Sequence, residues 1–365
     1  MPVPIDIVWV VHATDEIRVT DPAEFIGSAI ASQRLRVALP SVALNQAGFN
    51  QQAATLQSDS DLRQILELHP RLVIFSKVLG APELIMQLER HVQLARALHS
   101  AQIPALVDIC DNPYLGFAAH YVQQLIALST HVTVNSPAMA DMITSHPGIN
   151  LSIINDPVEG IRHTPHFKPP RHSYLKKLLR FAKPQQFKIL WFGGPLRSFE
   201  SLRFSLPILH TLAKRLPVDL HLVSAPFPEI QTEIDRINGF GSTNLNARFT
   251  RWSRLALAEA LEKTDLVFLP GEAGNPEKMG VSTNRLTESI WAGRVVVANG
   301  MPSYWHLKEG AFIGDDLASS IKQVLRNPAH ALQRIKVGQK IVAEHYTPDS
   351  VGKAWRTLCT ELINR

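Results

Sequence analysis

Apolar residues come in short bursts along this chain, separated by longer stretches in which apolar positions recur every three or four residues. The bursts are IDIVWVV (5–11), RLVIFSK (71–77), PALVDIC (104–110), HVTVNS (131–136), LSIIND (151–156), KILWFGG (188–194), VDLHLVSA (218–225), RFTRW (248–252), DLVFLP (265–270) and RVVVAN (294–299). Each has strand length and most are rich in β-branched residues, the pattern of strands buried on both faces. The stretch 82–101 has the helical period, with Leu84, Ile85, Leu88, Val92, Leu94, Ala95 and Leu98 on one side. Helices are also predicted over DLRQILELHP, PAMADMITSH, 198–215, 227–238, RLALAEALEK and a long C-terminal region from Leu317. Strands alternating with helices build parallel sheets with right-handed crossovers.

The alternation breaks once, between Asp156 and Lys188, in a stretch rich in Pro, His and Lys. A chain of 365 residues is long for one core and suits two domains of roughly 150 to 200 residues. The sequence thus divides into an N-terminal domain over 1–170, a linker over 171–187 and a C-terminal domain over 188–345. Both are expected to be doubly wound α/β units, and two such units imply a cleft.

Composition narrows the class. A hydrophobic content of 45% with 19% charged residues is that of a soluble protein, and no run approaches the roughly 20 apolar residues of a membrane span. The N-terminal residues lack a basic region followed by a long apolar core, so a cytoplasmic location is expected. Cys110 and Cys359 lie far apart, without metal-ligand spacing, and read as reduced thiols. The net charge of +5 suggests an anionic partner. No basic stripe interleaved with aromatics appears, which argues against nucleic acid.

Ligands of open parallel sheets bind at the carboxyl ends of the strands. Three loops in the second half carry suitable chemistry. In WFGGPLRSFESL, Gly193 and Gly194 let a ligand approach the backbone, and the helix that follows offers free amides to an anion. In RFTRWSRLA, Arg251 and Trp252 close a strand where an aromatic can meet a nucleobase. In PGEAGNPEKMGVSTNRLTESIWAG, Lys278 precedes Ser282, Thr283 and Asn284 at a helix start, and Glu288 follows one turn on. Amides and hydroxyls there suit a diphosphate, and Glu288 can accept two ribose hydroxyls. The plainer reading of Glu288 is a first-turn carboxylate complementing the helix dipole.

With these residues in place, the second half resembles the nucleotide-sugar-binding domain of GT-B glycosyltransferases, most closely the family 4 (group 1) type. ILWFGG, TDLVFLP and STNRLTESIWAGRVVVANG carry the resemblance. LVIFSK, PALVDICDNPYLG, THVTVNSPAMADMI and LSIINDPVEG are similar to the acceptor domain. YTPDSVGKAWRTLCTELI is similar to the terminal helix, about 346–365, that crosses back onto the first domain in that fold. The resemblance implies a GT-B architecture of two Rossmann-like domains facing across a cleft. It also implies transfer from a nucleotide-sugar donor without cofactor or metal, with retention of configuration, to a glycan or lipid-linked acceptor in the synthesis of a cell-surface polysaccharide, lipopolysaccharide or glycolipid.

The resemblance makes Glu288 the ribose ligand, with the diphosphate stabilised by amides and cations. Two departures stand out. Gly280 lies eight residues before Glu288, where many relatives have a second Glu, and Gly194 and Glu200 occupy the places of a basic pair. Arg197, Arg203 or Lys278 are the candidates to supply that charge, with Arg197 favoured. Asp111 follows Cys110 where relatives have His-Asp, and Asp111 and Asn112 are candidate sugar or acceptor contacts. His12, Arg34, Arg36 and Lys77 are acceptor-side candidates. The segment 171–183 reads as a basic amphipathic helix able to rest on an anionic membrane or as an ordinary linker helix. A GT-B-fold nucleotide-sugar epimerase and a degenerate, non-catalytic binding protein are the alternative functions.

Overall fold

In this computed structural model the described residues are 4–11, 20–76, 85–112, 114, 119–144, 148–169, 186–195, 197–239 and 244–364. The chain separates into two units. The first comprises 1–157, 274–283 and 344–365, and the second 158–273 and 284–343. The expected linker lies outside the described residues over 171–185, as do His12 and Lys77 and the side chain of Arg197.

The first unit contains β1 (Ile7–Val10), a short α1 (Ala31–Gln33) that widens into five π-helical residues and continues as α2 (Leu39–Gln46), β2 (Gln51–Ala54), α3 (Asp59–Glu67) and β3 (Leu72–Ser76). It continues with α4 (Ile85–Ser100), β4 (Ala105–Ile109), α5 (Ala119–Leu128), β5 (His131–Val134), α6 (Pro137–Ile143) and β6 (Leu151–Ile153). The six strands are parallel in the order β2-β1-β3-β4-β5-β6. Alternation along β1 assigns its faces, since successive side chains point to opposite sides. Val8 and Val10 join Val73, Phe75, Val107 and the helical Leu88, Val92 and Leu98 on one side. Ile7 and Trp9 join Ile74, Leu106 and the residues Trp355, Leu358, Cys359 and Leu362 on the other.

The second unit contains β7 (Phe187–Phe192), α7 (Arg197–Ala213), β8 (Val218–Ser224), α8 (Ile230–Gly239), β9 (Leu245–Arg251), α9 (Arg254–Glu262), β10 (Leu266–Leu269), α10 (Asn284–Trp291), β11 (Val295–Ala298), β12 (Phe312–Ile313), α11 (Leu317–Arg326) and most of α12 (Pro328–His345). Its six strands are again parallel, in the order β12-β11-β10-β7-β8-β9. The last helix, α13 (Pro348–Ile363), is capped by the Thr347 side chain and has Pro348 at its first position, where the missing N–H costs nothing. It belongs to the first unit, with Trp355 5.4 Å from Trp9 and the helix packed along α2. The helical C-terminal region expected from Leu317 is present as three helices, the second and third of which begin at Pro328 and Pro348, first-turn positions where the missing N–H costs nothing.

Among the described residues no helix is long and apolar enough to cross a membrane.

Candidate functional site

The carboxyl edge of the second sheet is stitched together by the loops that leave it. The Gly193 amide donates to the Val223 carbonyl at 3.3 Å, the Ser224 hydroxyl to the Gly193 carbonyl at 2.8 Å, and the Trp252 amide to the Ser224 carbonyl at 2.7 Å. The ends of β7, β8 and β9 thus form one platform. Gly193 and Gly194 lead from β7 towards α7, Arg251 is exposed at the end of β9, and Trp252 is half-buried just beyond it. Ser253 then caps α9, its hydroxyl accepting the Ala256 amide at 3.0 Å.

The reason for glycine at 193 is visible. A Cβ there would lie 2.9 Å from Arg285 Nη1, 3.1 Å from Ser198 Cβ and 3.3 Å from Trp191 Cζ2. Arg285, one residue into α10, lays its guanidinium over the end of β7 and donates to the Phe192 carbonyl at 3.4 Å. Sequence reasoning passed over this residue although it lies between Asn284 and Glu288. Residue type marks Arg285 as a cation, and only the glycine contact shows what it faces.

Helix α10 ends where Gly293 adopts φ of 72°, a left-handed conformation that glycine takes without a steric penalty. The Gly293 amide donates to the Ile290 carbonyl at 2.9 Å and the Arg294 amide to the Ser289 carbonyl at 3.0 Å, the paired bonds of a Schellman cap. A Cβ on Gly293 would lie 2.5 Å from the Thr164 carbonyl oxygen, so the segment 163–166 can pass directly over the turn. Gln339 holds this crossing, donating to the carbonyls of His163 at 2.8 Å and Trp291 at 3.0 Å.

Glu288 faces the same passing segment. It is only 5% exposed, and its two carboxylate oxygens accept the backbone amides of Glu159 and Gly160, the latter at 3.1 Å. A Cβ on Gly160 would lie 2.8 Å from Glu288 Oε2, so glycine is what admits the carboxylate so closely. The picture of a solvated first-turn carboxylate does not hold: Glu288 is buried and anchors a backbone turn.

The remaining sequence candidates fall in the first unit. Asn112 forms a turn, its Oδ1 accepting the Tyr114 amide at 3.0 Å, while its Nδ2 donates to the Pro276 carbonyl at 2.9 Å. That bond brings exposed Asp111 and Asn112, which follow β4, to the 276–278 turn that ends in Lys278.

The polar cluster expected at the start of α10 is divided. Ser282 donates its hydroxyl to the Asp156 carboxylate, and Thr283 is 0% exposed. Thr283 is withdrawn as a donor contact, because a wholly buried hydroxyl touches no ligand. Asn284 opens α10 in the second unit and is half-buried. Gly280 is buried against Met139, and a Cβ there would overlap the Met139 sulfur. The space beside Gly280 is filled by the Met139 side chain, so a side chain at 280 requires Met139 to move.

Two further expectations are corrected. Arg34 and Arg36, read as cations turned to an anionic ligand, are both buried inside the first unit. Arg34 donates to the Ser28 carbonyl at 2.7 Å. Arg36 is 1% exposed, pairs with both oxygens of Asp108, reaches Asp156 at 3.4 Å, and has its guanidinium 5.5 Å from the Trp355 ring centre. Burial opposes the charge on Arg36, but Asp108 and Asp156 outweigh it and raise its pKa; burial likewise raises that of Asp156 against the pull of Arg36 and Ser282. Arg203, a candidate for the diphosphate, is paired with Glu233 at 2.8 Å between α7 and α8.

No family model matches this chain, and no curated protein matches it in sequence. Solved structures do match in fold. Anabaena Alr3699/HepE in complex with UDP is 13% identical, with all of that chain and 98% of this one covered at a TM-score of 0.63. A glycosyltransferase from Rickettsia africae is 10% identical, with 99% of both chains covered and a TM-score of 0.56. The catalytic domain of starch synthase IV from Arabidopsis thaliana, bound to ADP and acarbose, is 12% identical, with 84% of this chain and 76% of that one covered and a TM-score of 0.54. At these identities the likeness is one of fold, and this chain, with two six-stranded parallel-sheet α/β units, has the fold of GT-B glycosyltransferase structures.

Proposed function

We propose that this protein is a nucleotide-sugar-dependent glycosyltransferase whose second unit holds the donor. The observation that carries the reading is the platform at the carboxyl edge of the second sheet, where a Gly-Gly turn, a half-buried tryptophan and a strand-end arginine converge on a fold shared with a UDP complex of HepE. In this reading Trp252 and Arg251 meet the base, Gly193 and Gly194 admit the diphosphate to the backbone, and Ser282 and Asn284 border it. Glu288, which fixes the Glu159–Gly160 turn, also accepts the ribose hydroxyls.

Chemistry then consists of stabilising the departing diphosphate by amides and cations, an electrostatic role of the oxyanion-hole type. Arg197 and Lys278 are assigned to that charge, Asp111 to the transferred sugar, and Asn112, His12 and Lys77 to the acceptor side. We assign the protein to the family 4 type, retaining and metal-independent, acting in the cytoplasm on a glycan or lipid-linked acceptor in cell-surface polysaccharide, lipopolysaccharide or glycolipid synthesis. The basic segment 171–183 is assigned to peripheral contact with anionic lipid.

A second reading, a glycosyltransferase-like protein that binds without turnover, is favoured by Gly280, where the second carboxylate is missing and Met139 fills the space.

The test is a thermal-shift screen against UDP, GDP, ADP, CMP and their common sugar conjugates, followed by assay of nucleotide release with acceptors. A ligand at 100 times its dissociation constant stabilises the native state by about 2.7 kcal/mol, a readily measured shift. Selective stabilisation with one nucleotide, and release of that nucleotide with acceptor, is the expected result. Stabilisation without release under any acceptor favours the second reading, and no stabilisation by any nucleotide overturns both.

A further inference from the structure

We infer that Arg285 is a further residue that grips the donor diphosphate, beside the charge assigned above to Arg197 and Lys278, and is delivered from α10 to the place where a basic pair following β7 is missing; the inference rests on the donor-site reading above. The guanidinium lies over the carboxyl end of β7, with Nη1 close enough to Gly193 that a Cβ there would be 2.9 Å away. The 3.4 Å bond to the Phe192 carbonyl is long for an N–H donor, whose usual range is about 2.7–3.2 Å, so it consumes little of a group that carries five N–H donors in a rigid fork. Among the described residues no carboxylate pairs with Arg285, and it is half-buried, so its charge is neither neutralised by the protein nor fully given to water. A planar guanidinium of this kind matches phosphate oxygens two at a time.

Three other described arginines serve as the comparison. Arg36 is neutralised by two buried carboxylates, and Arg203 is spent on Glu233. Arg251 stands exposed at the strand tip. Arg285 alone among these combines partial burial, an unspent fork and a glycine whose lack of a side chain lets Nη1 approach the strand end. Gly193 is thereby a positioning residue. Its role is to seat Arg285 as well as to bend the chain.

The experiment compares wild type, Arg285→Gln, Arg285→Lys and Gly193→Ala by calorimetric binding of UDP, GDP, ADP and CDP and of the four matching nucleosides, with melting of each unliganded protein as the check on folding. The expected result is a loss of roughly 10- to 100-fold in diphosphate affinity for Arg285→Gln, the range for a hydrogen bond to a charged group, with nucleoside affinity unchanged. Arg285→Lys should fall between, since it keeps the charge and loses the fork. Gly193→Ala should show the same selective loss in a folded protein.

Wild-type diphosphate affinity in a folded Arg285→Gln overturns the inference and leaves the donor-site reading intact. Equal losses for diphosphate and nucleoside also overturn it, because they indicate a general disturbance of the pocket. A wild type that binds no nucleoside diphosphate overturns the donor-site reading and this inference with it.

Discussion

Arg36 and Arg285 are the same side chain in opposite circumstances. Arg36 sits inside the first unit against Asp108 and Asp156, with Thr133 donating to Asp108 at 2.8 Å, so its positive charge is met by carboxylates. Arg285 sits at the carboxyl edge of the second sheet with one long bond to a carbonyl. A buried charge with its counterions in place is a structural element, costly to break. A half-buried charge without a counterion is a site held ready for an anion brought from outside. The comparison predicts that stability resides in the first arginine and ligand affinity in the second.

The largest expected effect is on Arg36. Arg36→Met leaves Asp108 and Asp156 buried without their cation and should lower the unfolding free energy by about 3–5 kcal/mol. Denaturant unfolding of Arg36→Met, and of Arg36→Met combined with Asp108→Leu, checks this. The double variant should recover part of the loss, and a single variant as stable as wild type would break the comparison at its structural end.

Gly280→Glu comes next. It restores the carboxylate of the family pattern in sequence, yet the new Cβ meets the Met139 sulfur in a packed core, and overpacking of this sort costs about 1–3 kcal/mol. The melting midpoint should fall with no gain in nucleotide release. A stable, more active Gly280→Glu would show that the loop yields and that the missing carboxylate is functional.

Glu288→Gln sharpens the contrast from the acidic side. Removing the charge from an acceptor of two backbone amides should cost about 1–2 kcal/mol of stability and weaken donor binding by a similar amount. Denaturant unfolding together with titration of the nucleotide separates the two parts. Loss of stability with unchanged donor affinity confines Glu288 to holding the Glu159–Gly160 turn.

The smallest effect belongs to Arg203. Its pair with Glu233 is partly exposed, and Arg203→Ala should cost only about 0.2–1 kcal/mol and leave nucleotide affinity unchanged. A selective loss of diphosphate binding in this variant would move the anion site from α10 to α7.

The strands legible in the sequence are those with apolar runs, and each has a counterpart at the expected place. Strand β2 escaped because QQAA has no apolar run. It is the outermost named strand of the sheet, bridged on its far side to Thr20, and Gln51 is held there by hydrogen bonds with the Trp9 indole at 2.8 Å and the Ser41 carbonyl at 2.9 Å. The π-helical stretch that buries Arg34 and Arg36 also escaped, because SQRLR reads as a charged surface run to any rule based on residue type. The candidate site was legible as a set of loops at strand ends. Within it, the places of Glu288, Thr283 and Arg285 were not, because burial depends on what passes overhead, and those segments are more than a hundred residues away in the chain for Glu288.

The order of strands and helices and the glycine turn after β7 were set by local pattern, since hydrophobic period and turn chemistry act over a few residues. Which arginine is paired with carboxylates and which is not was decided by tertiary structure. Charge compensation depends on distance in space, and Asp108 and Asp156 lie 72 and 120 residues from the arginine they neutralise.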